Sequence, residues 1–190
     1  MKMGSSGASL PISNIVAKGA CPICAALKEF QTNLVGNLQP SACTNFCNLH
    51  AWFIANSASA KTAATIFLAA VVDADWNASA PGSSNCDMCE RIRIEKEARI
   101  KEMAQELDRP ALRDWLRGQG MFCVRHGREL TAQLTGSLRK TLEETMMRNT
   151  IELSQKLTEF LNHAKAGDHA GGGVLGHAAE FLVAQRGILD

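Results

Sequence analysis

Six cysteines and two histidines of this chain fall into one arrangement, written twice. Cys21-Pro22-Ile23-Cys24 is followed by Phe46-Cys47-Asn48-Leu49-His50, and Cys86-Asp87-Met88-Cys89 by Phe122-Cys123-Val124-Arg125-His126. Both copies read CxxC…FCxxH, with 22 residues between Cys24 and Cys47 and 33 between Cys89 and Cys123. The order of side chains, the two-residue gaps and the preceding phenylalanine are all duplicated. Any fold for this chain has to account for that repetition.

The spacing has a specific chemical meaning. Two cysteines separated by two residues at the start of a helix can aim both sulfurs at one point. The positive end of the helix dipole favours the thiolate, which is the form that binds metal. CxxH at another helix start offers one thiolate and one imidazole in the same way. Four such donors make a tetrahedral Cys3His set, the saturated arrangement of structural zinc, which leaves no position for a catalytic water. Taken copy by copy, the motifs predict two zinc sites, one from Cys21, Cys24, Cys47 and His50 and one from Cys86, Cys89, Cys123 and His126. Each copy would be two helices whose N-termini meet at the metal, with an irregular return between them. A helix from Cys89 to Leu107 rises about 27 Å, and the 15 residues from Asp108 to Phe122 are long enough to bring the chain back.

Other chemistries fit the same residues. Three thiolates and an imidazole can hold an iron–sulfur cluster, although the compact cysteine runs of cluster proteins are missing. A CxxC at a helix start can be a thiol–disulfide couple, but that motif normally follows a strand, and the paired CxxH has no role in it. Buried core cysteines without any ligand are the plainest alternative. Cys43 is the seventh cysteine and has no counterpart in the second copy, where Gln119 stands instead. It reads as a spare thiol.

The motif resembles that of a family of uncharacterised bacterial helical proteins, a domain of unknown function with tandem CPxC…FCxxH units. The matching residues are Cys21-Pro22-x-Cys24 with Phe46-Cys47-x-x-His50-Ala51-Trp52, and Cys86-x-x-Cys89 with Phe122-Cys123-x-x-His126. Leu157 to Leu161 near the end of the long helix is also similar. The likeness covers about residues 20–165 and departs from the pattern at Asp87, where the family has proline. It implies metal binding in a helical fold and supplies no reaction.

The rest of the chain predicts an all-α fold, two tandem helical units followed by a long amphipathic helix. Residues 1–19 read as a loose leader, 20–76 as the first unit and 77–85, NASAPGSSN, as a linker. The second unit spans 86–166. It opens on a charged helix, breaks at Asp108-Arg109-Pro110 and resumes at Phe122-Cys123. From Leu130 a stripe through Leu134, Leu138, Leu142, Met146, Leu153, Leu157 and Leu161 predicts one long helix with a kink near Gly136. Ala63 to Val72 predicts a buried central helix. Residues 167–190 read as a glycine-rich loop and a terminal helix, with His163, His169 and His177 around it as solvated histidines.

Composition narrows the function. With 20 Lys+Arg against 19 Asp+Glu and a net charge of +1, the chain lacks the charge to grip nucleic acid or anionic lipid. Aromatics are 5% with no tyrosine, which disfavours a base-stacking surface. The most apolar stretch is half of what a bilayer needs, and no secretory h-region precedes it, so the expectation is a cytoplasmic protein without membrane insertion. There reduced thiols in an ordered pattern mean metal or redox chemistry. No Ser-His-Asp set, paired carboxylates or phosphate loop stands out; the run from Gly171 to Gly173 lacks the following lysine. The reading is a non-catalytic, metal-stapled scaffold or adaptor, with two zinc ions. Its partner would be a protein or a second copy, met through the Leu130–Leu161 helix. An iron–sulfur electron-transfer subunit and a thiol-based redox sensor are the alternatives.

Overall fold

The computed structural model describes residues 20–38, 46–72, 86–165 and 172–183. Among them the chain forms eight helices and no strand, the all-α fold the sequence predicts. In chain order these are α1 (Pro22–Gly36), α2 (Asn48–Ser57), α3 (Ala60–Val72), α4 (Asp87–Glu106), α5 (Pro110–Gly118), α6 (Val124–Gln133), α7 (Gly136–Lys165) and α8 (Gly172–Val183). Residues 1–19, Cys43, the linker 77–85 and His169 lie outside the described residues.

Four helices begin on a cysteine. The carbonyls of Cys21, Cys47, Cys86 and Cys123 accept the first helical bonds, from the N–H groups of Ala25, Ala51, Glu90 and Gly127, at 2.8–3.2 Å. Each motif therefore occupies the cap and the third position of a helix. Cys47 and Cys123 are extended, with φ −71° and −67° and ψ near 160°, as a cap residue must be. Pro22 takes the first position of α1, where its missing N–H costs nothing.

The described residues divide into two compact units that interleave along the chain. The first contains the start of α1 up to Ala26 and everything from Arg99 to the end of α8; the second runs from Leu27 to Ala98. α1 and α4 each begin in one unit and end in the other. With 15 and 20 residues, they carry the chain about 22 and 30 Å along their own axes.

In the first unit α7 packs against α5, α6 and α8, and α6 against α8. Leu153 of α7 and Ala178 and Phe181 of α8 form a buried cluster, with Val124, Met146 and Leu157 against it. Where α6 meets α7, a Cβ on Gly127 would fall 2.8 Å from Cε of Met146, the movable end of a flexible side chain. The Leu130 stripe is buried at Leu130, Leu134, Leu142 and Leu153, but it does not lie on one helix. Leu134 is extended at the end of α6 (φ −95°, ψ 153°), and Gly136 takes φ +58° at the start of α7. A positive φ is nearly free for glycine, so the chain turns there rather than kinks.

In the second unit α2 packs on α3. Here the expected buried central helix is corrected: only Ala63 and Ile66 of α3 are buried, while Leu68, Val71 and Val72 are exposed. A 13-residue helix whose apolar residues surround the axis leaves some of them outside whenever it packs along one side. Among the described residues no helix is long and apolar enough to cross a membrane.

Candidate metal centres

The eight predicted ligands come together in two groups of four, each with three cysteines and one histidine. Within each group the donor atoms all lie within 4.8 Å of one another. The membership of the groups overturns the copy-by-copy pairing. Cys21 and Cys24 meet Cys123 and His126, and Cys47 and His50 meet Cys86 and Cys89. The first CxxC thus joins the last CxxH, and the two inner motifs join each other. The pairing is nested, not tandem.

The helices explain it. α1 starts with Cys21 and Cys24 in the first unit and ends in the second, where the chain presents Cys47 and His50 at the start of α2. α4 starts with Cys86 and Cys89 in that second unit and ends in the first, where Cys123 and His126 open α6. Each CxxC helix thus begins in the unit that holds its own cysteines and ends in the unit that holds the other quartet. Each centre is still the meeting point of two helix N-termini, as the motif spacing predicts.

At the first centre Nδ1 of His126 lies 3.2 Å from the sulfurs of Cys24 and Cys123 and 3.6 Å from that of Cys21. The sulfurs of Cys24 and Cys123 are 3.7 Å apart. At the second, Nδ1 of His50 lies 3.2 Å from Cys47 and Cys89 and 3.4 Å from Cys86, with Cys47 and Cys89 3.8 Å apart. All six cysteines are free thiols. A tetrahedral ion with metal–sulfur bonds of about 2.3 Å and metal–nitrogen bonds of about 2.0 Å spaces its sulfurs about 3.8 Å apart and sulfur from nitrogen about 3.5 Å apart. Both donor sets fit such an ion.

The electrostatics of the quartets show what that ion would relieve. Hydrogen bonds from the Cys21 and Cys24 thiols, with a further contribution from His126, hold Cys123 far below the ordinary thiol range. The same crowding by Cys123 and Cys21, together with burial, pushes Cys24 far above it. Burial opposes a charge on His126, yet hydrogen bonds with Cys123 and Cys21 raise its pKa to about 10. At the second centre burial and the Cys86 and Cys47 thiols lift Cys89 to about 12. Burial also acts on Cys47, but the backbone of His50 and the thiol of Cys89 draw it below its usual value. In each quartet one thiol ionises at the expense of another. Three thiolates at such separations need a cation among them.

Around the ligands the two centres are built alike. The phenylalanine before each CxxH packs edge-to-face on an aromatic ring, Phe46 on Phe67 at 6.5 Å and Phe122 on Trp115 at 5.8 Å between centroids. That contact explains why both motifs read FCxxH: the ring anchors the residue before the helix cap. At the first centre the backbone N–H of His126 also donates to the sulfur of Cys123 at 3.5 Å.

Sequence reasoning missed the side chains that hold the approach to Cys123. Thr145 donates to the carbonyl of Leu116 at 3.0 Å, Asn149 to that of Gly120 at 2.9 Å, and Arg148 to that of Arg117. Thr145 and Arg148 thereby satisfy carbonyls of the last turn of α5, which have no partner within the helix, and Asn149 one in the segment that follows it. Their spacing of three and four residues on α7 is the readable signal, a polar face beside the apolar stripe.

No protein-family model, curated protein or solved structure matches the chain.

Proposed function

We propose that the protein is a non-catalytic helical scaffold or adaptor whose two units are each closed by one zinc ion. The observation that carries this reading is the completeness of the donor sets: three sulfurs and one nitrogen, within 4.8 Å of one another, at both centres. A four-donor set of that kind saturates zinc and leaves it a structural role. A four-iron cluster binds its cysteines on separate irons, spreading the thiolates further apart than a single ion does. Separations of 3.7 and 3.8 Å between sulfurs favour one small ion per quartet. On α7 the exposed Met147 and Ile151, flanked by Lys140, Glu144 and Glu152, offer a partner protein an apolar strip with charged edges.

Elemental analysis of anaerobically purified protein tests the reading. Two zinc ions per chain and no iron are expected. Fewer than one zinc per chain, or a brown protein with broad absorption near 400 nm and several irons, would overturn it.

A further inference from the structure

The two centres share a donor set and nearly share a geometry, but they differ in exposure. At the first, Cys24 and Cys123 keep 1% and 2% of their surface exposed, Cys21 7% and His126 none. The cleft beside it, between Met121, Phe122 and Phe181, has a volume of about 20 Å3, room for a single water. At the second, Cys86 and His50 are buried at 4% and 1%, whereas Cys47 and Cys89 are both partly exposed. These two are also the pair whose sulfurs stand 3.8 Å apart. Two neighbouring cysteines of the second centre are therefore partly exposed, and no ligand residue of the first is.

Oxidation of a cysteine depends on thiolate character and access. A metal keeps all six sulfurs in the thiolate form, so access alone separates the centres. We propose that the second centre is a redox-sensitive zinc-release switch, in which a hydroperoxide joins Cys47 to Cys89 while the first centre keeps its ion. The proposal rests on the zinc reading given above.

The chemistry balances with hydrogen peroxide as the oxidant. One of the two thiolates attacks a peroxide oxygen; the O–O bond breaks, a sulfenic acid forms, and the departing hydroxide takes a proton to become water. The other thiolate attacks the sulfenic sulfur, forming the S–S bond and expelling a second hydroxide, which is protonated likewise. Each sulfur gives up one electron and the peroxide takes up two, with two protons consumed and two waters formed. The sulfurs close from 3.8 Å to about 2.05 Å. Cys86 and His50 alone then hold the zinc, and two donors do not retain an ion that four held.

The test uses the 190-residue chain with Cys43→Ser, so that the spare thiol contributes nothing, prepared anaerobically and assayed for zinc beforehand. Treatment with a small molar excess of hydrogen peroxide is followed by a chromogenic zinc chelator, thiol titration and peptide mapping. The expected result is release of one zinc of two and loss of two thiols of six. A Cys47–Cys89 disulfide should be mapped, and dithiothreitol with added zinc should reverse the change. Equal release from both centres, earlier oxidation of Cys21, Cys24 or Cys123, or a disulfide within Cys86 and Cys89 would overturn the switch while leaving the zinc reading intact. Protein without zinc before peroxide is added would overturn both.

Discussion

The sulfurs of Cys24 and Cys123, 99 residues apart in sequence, stand 3.7 Å from each other. Cys24 is equally a ligand candidate with its own downstream motif, yet Cys47 belongs to the other quartet. Metal stoichiometry in double variants separates the two pairings. Cys24→Ser with Cys123→Ser disables one quartet and should leave one metal per chain. Cys24→Ser with Cys47→Ser disables both and should leave none. Tandem sites would give the reverse, so mass spectrometry under native conditions distinguishes nested from tandem ligation directly.

Removing the metal should destabilise both units, because the donors that meet at each centre come from distant parts of the chain. An ion present at about 1,000 times its dissociation constant stabilises the folded state by about 4 kcal/mol. For a chain of this size each kcal/mol corresponds to about 2–4 °C in Tm. Stripping one centre with a chelator should therefore lower Tm by about 10 °C, and restoring zinc should recover it. A Tm that does not move on chelation, with the metal shown to be gone, would contradict a structural role.

How far the sequence disclosed this molecule depends on the range of the interaction. The eight donors were legible because CxxC and CxxH are local devices: the cap and third positions of one helix fix their geometry without outside help. The helices were legible for the same reason, as was the break at Asp108-Arg109-Pro110. The pairing of quartets was not, since nothing in a CxxC states which CxxH it meets. That is decided by contacts between segments far apart in sequence. The Leu130 stripe misled for a related reason. Its four-residue period runs on through Leu134 and Leu138 although Gly136 interrupts the helix, and an apolar period does not register a single positive φ. The exposed side of α3 shows the opposite limit. Hydrophobicity at Leu68, Val71 and Val72 says that burial is favourable, but not which side of α3 the described residues cover.

Glycine substitutions should separate close approach from mere flexibility. A Cβ on Gly120 would fall 2.7 Å from both the Cα and the carbonyl oxygen of Leu116, and backbone cannot move aside cheaply. Gly120→Ala should cost about 2 kcal/mol, a Tm loss of about 4–8 °C, and should weaken metal retention at the centre Cys123 completes. Gly127→Ala meets only the flexible end of Met146, and alanine gains about 1 kcal/mol of helix propensity over glycine. It should be nearly silent. Gly136→Ala forces alanine into φ +58°, which costs about 1–2 kcal/mol. Thermal melts of the three variants check the order; a Gly127→Ala loss as large as that of Gly120→Ala would refute the packing described for α6 and α7.

Acidity should release the metal, and the sign follows from competition between proton and ion for the same lone pairs. Thiolate and neutral imidazole bind; their protonated forms do not, so metal affinity rises with pH and falls as acid is added. In the metal-free chain the relation at His126 is reversed. Its pKa is raised from 6.5 to about 10, so protonated His126 among the thiols stabilises the fold. That contribution is fully present below 6.5 and is lost as pH rises through 10. Zinc uptake at neutral pH must therefore expel the proton held by His126 as well as those of the thiols. Calorimetry in buffers of different ionisation enthalpy should show proton release on binding zinc at pH 7. In His126→Ala the release attributable to the first centre should drop, while the second centre, built on His50, continues to release its own. A binding enthalpy independent of buffer would contradict this proton coupling.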